Sequence, residues 1–105
     1  ALQAFSAFPG TQKDLSVIVF SDMPAGDLQS QVSEASKAAL NGSFDLASVD
    51  VFDVYAGKGI EEGKKSVALS IGYICKDRTL NDDEVNAVFA KTLETLEASG
   101  LEVRK

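Results

Sequence analysis

Histidine is absent from this chain of 105 residues. That gap removes Ser-His-Asp and Cys-His nucleophile activation, the HExxH zinc site and imidazole acid–base catalysis together. Carboxylates and lysine remain as catalytic groups in principle, but no spacing of them points to a reaction. The lone Cys75 excludes an internal disulfide and any multi-cysteine metal site, and fits a reducing compartment. At the end of an apolar run it reads as a small buried side chain rather than a reactive thiol. No apolar run approaches the ~20 residues of a membrane span, and no charged-then-apolar leader opens the chain. A soluble, cytoplasmic protein without a membrane partner is therefore expected. Positive charge is in deficit as well: 16 acidic residues against 10 basic ones leave a net charge of −6. This opposes generic nucleic-acid binding, whose affinity comes mostly from phosphate contacts, so any RNA contact must be local. The chain opens on Ala1 rather than methionine, as expected of a fragment of a longer polypeptide or of a processed terminus.

What is present suits one compact domain, with 45% hydrophobic residues and a modest core. The stretch from Phe52 to Ser66, FDVYAGKGIEEGKKS, invites comparison with a phosphate-binding loop. Such a loop needs two glycines five positions apart, then lysine and a hydroxyl residue, and must open a helix. Here Gly57 and Gly63 are six apart, Lys65 separates Lys64 from Ser66, and the next residues alternate like a strand. The stretch reads as a charged connection between two strands.

Residues 1–10 read as an extended lead-in ending in the Pro9-Gly10 turn, and residues 11–105 as the domain. A first strand covers Asp14 to Phe20, with Leu15, Val17 and Val19 on one face and Ser16, Ile18 and Phe20 on the other. A helix follows from Pro24 to Leu40, with Asp27 near its positive end, Asn41-Gly42 as a stop and an apolar stripe of Leu28, Val32, Ala35 and Ala39. Asn41-Gly42-Ser43 also spells a glycosylation acceptor, but the helix stop is the reading preferred. Leu46 to Tyr55 and Lys64 to Cys75 form two strands whose short connection predicts an antiparallel hairpin. A second helix starts at the Asn81 cap, with Glu84 closing a capping box and Leu80 placed to staple onto Val85. Val85, Val88, Phe89, Thr92, Leu93 and Leu96 form its inner face, and Gly100 ends it. Asp82, Asp83 and Glu84 do not converge as metal ligands; they complement the helix dipole. A short last strand covers LEVRK.

This order, β-α-β-β-α-β, predicts a ferredoxin-like α+β sandwich: a four-stranded antiparallel sheet with both helices on one face and the other face bare. Val67, Leu69, Ile71 and Tyr73 should face the helices, and Ser66, Ala68, Ser70 and Gly72 the open side.

The segments FPGTQKDLSVIV, MPAGDL, VDVFDVYAGKGIEEGKKSVALSIGY and DRTLNDDEVNAVFAKTLETL together resemble one family. It is the ferredoxin-fold anticodon-binding domain at the C-terminal end of the phenylalanyl-tRNA synthetase beta chain. The resemblance runs from about Phe8 to Arg104, and its most specific elements are Phe52-Asp53-Val54-Tyr55, Gly63-Lys64-Lys65-Ser66 and Arg78-Thr79-Leu80. It implies a non-catalytic module that contacts the anticodon stem-loop of phenylalanine tRNA. It further implies as partners the rest of the beta chain and the alpha chain of an α2β2 ligase, which uses ATP and magnesium elsewhere; no cofactor is implied for the domain itself. Single-stranded RNA is held by aromatic stacking and by basic contacts to its backbone. Lys13, Lys64, Lys65 and Arg78 are thus the phosphate candidates, and Phe52, Tyr55 and Ser66 the base or sugar candidates. Alternation puts one of Phe52 and Tyr55 in the core, Asp53 reads as a lysine partner or turn cap, and Arg78 has a second reading as an anchor for its loop. The family often carries arginine at the positions of Lys13, Ala56 and Ile74, so one bidentate ligand is reduced to a point charge and two are missing. Low affinity of the isolated module is expected, raised in the assembly by linkage to other contacts. A competing expectation is a structural module that packs on a protein through its bare sheet face.

Overall fold

A computed structural model describes residues 10–104. Six elements follow in the order β1 (Thr11–Phe20), α1 (Ala25–Leu40), β2 (Asp45–Tyr55), β3 (Lys64–Ile74), α2 (Asp82–Ala98) and β4 (Glu102–Arg104). Apart from Gly10, the expected lead-in lies outside the described residues, as does Lys105 of the expected last strand. The strands form one sheet in the order β2-β3-β1-β4, every neighbouring pair antiparallel. Both helices cover one face, giving the ferredoxin-like arrangement that the element order predicts.

Alternation along β3 sets the core. Val67, Leu69, Ile71 and Tyr73 are fully buried beneath the helices, each contributing about 1.5–3 kcal/mol of apolar burial before ordering entropy is subtracted. Leu15, Val17 and Val19 of β1 join the same cluster, as do Leu28, Val32 and Ala35 of α1 and the inner face of α2. Ser36 and Leu40 of α1 are buried too, whereas Ala39, expected in the stripe, is only partly buried. Cys75 is buried in this cluster, as expected of a small core side chain.

Local signals explain the boundaries. Pro24 caps α1 from an extended conformation, and Asn41, in the left-handed region at φ 48°, closes it, a conformation asparagine tolerates better than most residues. At α2 the capping box is complete: the Asn81 side chain accepts from the Glu84 amide and the Glu84 carboxylate accepts from the Asn81 amide, each at 2.9 Å. Such a box satisfies two of the amides that a helix start leaves unpaired. The Gln29 side chain donates to the Val49 carbonyl, tying α1 to the edge strand β2. β1 starts three residues earlier than its apolar alternation indicates, at Thr11 rather than Asp14, because its first residues find ladder partners from Tyr73 to Ile71.

β2 departs from simple alternation. Its register against β3 shifts between Leu46 and Ser48 and again between Val51 and Asp53, so Ala47 and Phe52 are the extra residues of two bulges. The second shift corrects the expectation for the aromatics: Phe52 is 59% and Tyr55 47% exposed, and neither is core. An inserted residue breaks the period of two, and an edge strand has no neighbour to cover what is left.

Candidate nucleic-acid interface

The ladder places side chains on the face opposite the helices in cross-strand rows. At the hairpin end, Tyr55 of β2, Ser66 of β3 and Ile18 of β1 form one row, extended to Glu102 of β4. The next row along holds Asp53, Ala68, Ser16 and Arg104, and beyond it stand Asp50, Ser70 and Asp14. In the outermost row Phe20 lies opposite Lys64.

The connection between β2 and β3 fixes the Tyr55 ring. Its phenol donates to the Lys58 carbonyl at 2.9 Å, and two backbone turns, Ile60 to Gly57 and Lys64 to Glu61, close the loop at 2.9 and 3.0 Å. Gly57 sits at φ 131° beside the phenol end of the ring, 3.5 Å from the phenol oxygen to where a Cβ would lie. The loop then enters a strand, not a helix, so the geometry of a phosphate-binding loop is not formed.

Of the seven residues singled out by sequence, three meet. Tyr55, Ser66 and Lys64 share the open face at the hairpin end, while Phe52, exposed in the second bulge of β2, has no ladder partner that assigns it to that face. Lys65 pairs with Val19 and so points to the helix side, away from Lys64. Lys13 pairs with Ile71, also on the helix side, roughly 20 Å along β3 from Lys65. Arg78 follows the far end of β3, some 30 Å of strand from Lys64. There its guanidinium holds both oxygens of Glu84, one of them at 2.7 Å, the loop anchor that was its second reading. Arg78 and the Asn81 amide hold the Glu84 carboxyl well below its ordinary value, at about 2.

Asp53 corrects its expected role. It neither caps a turn nor joins any ion pair among the described residues. It stands exposed on the open face one row from Tyr55. Its position could be read from its two-residue spacing to Tyr55; its lack of an ion-pair partner among the described residues could not.

Charge on the face is uneven. Asp14, Asp50 and Asp53 stand in the middle rows with Arg104, while Lys58 and Lys64 lie at the hairpin end with Glu61, Glu62 and Glu102, Lys64 3.6 Å from Glu61. Any phosphate contact at the hairpin end therefore depends on the local approach of Lys58 and Lys64. A carboxylate beside an aromatic ring accepts from the N–H groups of a base, and a serine hydroxyl serves base or sugar. Among the described residues no three His, Cys, Asp or Glu side chains gather into a group that would hold a metal, and no helix is long and apolar enough to cross a membrane.

Fold and face together define a ferredoxin-like α+β module whose candidate site is a sheet surface ringed by aromatic, hydroxyl and lysine side chains. Comparison with known proteins specifies the class. Residues 6–104 match the ferredoxin-fold anticodon binding domain, and the chain belongs to this family. It is 41% identical over 99 residues to the phenylalanine–tRNA ligase beta subunit of Halalkalibacterium halodurans, covering 94% of this chain and 12% of the relative. The beta subunit of Bacillus cereus is 38% identical over 103 residues, 97% of this chain and 12% of its own length. That of Staphylococcus haemolyticus is 38% identical over 97 residues, 92% and 11% respectively. The chain thus spans about one eighth to one ninth of the length of these relatives.

Proposed function

We propose that this domain binds the anticodon stem-loop of phenylalanine tRNA as one module of a phenylalanine–tRNA ligase beta subunit in the cytoplasm. One observation carries the reading: in a chain of the anticodon-binding family, an exposed, hydrogen-bonded tyrosine stands opposite a serine on the bare sheet face. Tyr55 stacks on an unpaired base, Asp53 and Ser66 take hydrogen bonds from its edge or sugar, and Lys64 and Lys58 neutralise the adjoining phosphates. Phe52, exposed in the bulge of β2, adds apolar surface next to Asp53. Lys13, Lys65 and Arg78 lie too far away, or on the wrong side, to serve the same nucleotide; any phosphate they meet belongs to another part of the tRNA.

Attachment of phenylalanine, with ATP and magnesium, takes place elsewhere in an α2β2 assembly, and the rest of the beta chain supplies the additional tRNA contacts that raise a weak local affinity. The alternative, a protein packed flat against the open face, is disfavoured by Asp14, Asp50 and Asp53, all exposed there and in no ion pair among the described residues, because burying carboxylates without partners is costly.

Fluorescence anisotropy with the phenylalanine tRNA anticodon stem-loop and an unrelated hairpin, at low and near-physiological salt, tests the proposal. Salt-sensitive preference for the cognate loop, weakened about tenfold by Tyr55→Ala, is expected. Equal binding to both hairpins, or indifference to Tyr55→Ala, overturns it.

A further inference from the structure

Phe20 is the most exposed of the large apolar side chains, at 67%. Alternation turns it to the open face, outside the main core cluster, so packing does not account for a phenylalanine there. The Lys64 ammonium lies 5.3 Å from the ring centroid and is also held by Glu61 at 3.6 Å. An aromatic face with a restrained cation beside it is the pairing with which single-stranded nucleic acid is gripped: the ring takes a base and the cation its phosphate.

The position of Phe20 relative to Tyr55 gives the pairing a context. Phe20 and Lys64 occupy the row next to Ile18, Ser66 and Tyr55. Two strand spacings across and one row along separate the two backbone positions by roughly 12 Å. Ser66 and Lys64 of β3 lie between them, and Ile18, two residues before Phe20, is buried. Next to Phe20 opens a recess of about 290 Å³, lined among others by Met23, Lys64, Leu101, Asp22 and Glu102. Its two carboxylates repel phosphate and accept from N–H groups, so the edge of a base enters there while the backbone keeps to the Lys64 side.

We infer that Phe20 and Lys64 form a second nucleobase site, which stacks a nucleotide neighbouring the one on Tyr55. The inference rests on the anticodon-loop reading above. The occupant is RNA rather than protein because the patch is continuous with that proposed interface and carries its cation.

The test is an abasic scan of the anticodon stem-loop, each loop position replaced in turn and binding measured by anisotropy to the unsubstituted chain and to Phe20→Ala, Phe20→Trp and Tyr55→Ala. Phe20→Ala should weaken the intact loop about tenfold, Phe20→Trp should retain affinity, and the thermal melt should be unchanged because the ring is exposed. One abasic position should cancel the effect of Phe20→Ala, and a different one that of Tyr55→Ala. If the unsubstituted chain does not prefer the cognate loop, the anticodon reading falls and this site with it. If Tyr55→Ala weakens binding and Phe20→Ala does not, the second site alone is overturned. Cancellation of both variants by the same position means a single base and also overturns it. So does sedimentation showing that Phe20→Ala dissociates a dimer while leaving RNA binding intact, since the ring then packs on a second copy.

Discussion

Arg78 grips both carboxylate oxygens of Glu84, and the same carboxylate accepts the Asn81 amide that opens α2. One side chain thus ties the incoming loop and caps the helix. Asn81→Ala should cost about 0.5–2 kcal/mol through the lost cap, measured by urea denaturation. Glu84→Gln should lower the melting temperature near neutral pH and make stability less sensitive to acid. The sign follows from the depressed pKa: the unfolded carboxyl takes up its proton near 4.5 and the folded one at about 2. The contribution is therefore present in full above the first value and lost as pH falls towards the second. Arg78→Ala should destabilise similarly, yet weaken stem-loop binding less than Lys64→Ala does.

Tyr73 carries a different prediction. Its ring lies in the core, edge-on to Phe44 with centroids 5.9 Å apart, but its phenol has no hydrogen-bond partner among the described residues. Burial pushes the phenol up to about 12, a rise that the nearby Thr92 hydroxyl opposes; that hydroxyl donates to the Val88 carbonyl at 2.9 Å. Between its ordinary value near 10 and about 12 the unfolded chain releases the proton while the folded one keeps it, so stability falls with rising pH across that window. Phenolate absorbance in a Tyr55→Phe background should stay low until pH approaches the upper value. Because an unpaired buried hydroxyl is unfavourable, Tyr73→Phe should be neutral or stabilising, and Ser36→Ala, which removes another such hydroxyl, should behave alike. A loss above about 1.5 kcal/mol in either variant means that a partner, such as a buried water, is being removed.

Several of these features were legible in the sequence for physical reasons. The α2 stripe from Val85 to Leu96 and the alternation from Val67 to Tyr73 repeat at the periods of helix and strand, so they report burial directly, and the Asn81–Glu84 spacing reports its own cap. The bulge at Phe52 has no such signature, because one extra residue in an edge strand changes exposure without changing composition. Ser36 is hidden in the same way, since its polarity conceals its place in the α1 core. The candidate site was legible as a set of residue types but only partly as a place. Alternation already implies that Lys64 and Lys65 point apart; the orientation of Lys13 depends on pairing by Thr11 and Gln12, whose side chains carry no apolar pattern.

The divergence of Lys64 and Lys65 separates two charge reversals that otherwise look equivalent. Lys64 faces the platform, so Lys64→Glu should sharply weaken stem-loop binding and reduce the magnitude of the salt slope by about one counterion. Lys65→Glu, on the helix side, should have a smaller effect at low salt that vanishes near physiological ionic strength, where the screening length is about 8 Å. Anisotropy titrations across salt concentrations measure both. Equal losses that persist at high salt would place Lys65 in direct contact with RNA.

Gly72 and Ser48 offer a test of the packing that backs the open face. They are partners across the β2–β3 ladder, and a Cβ on Gly72 would lie 2.7 Å from Ser48 Oγ, with the next neighbours, in Ala47 and the Ser48 backbone, at 3.6 and 3.7 Å. Gly72→Ala therefore brings two opposed effects. Crowding costs about 1–3 kcal/mol unless the serine turns away, while the lost freedom of the unfolded chain returns about 0.4–1 kcal/mol. The net change should be destabilising in the otherwise unaltered protein. In a Ser48→Ala background the clash is gone and only ordinary contacts remain, so the same substitution should become neutral or stabilising by up to about 1 kcal/mol. A double-mutant cycle read by urea denaturation isolates the coupling; its absence would mean that Ser48 rotates freely and that the close approach at Gly72 carries no energetic cost.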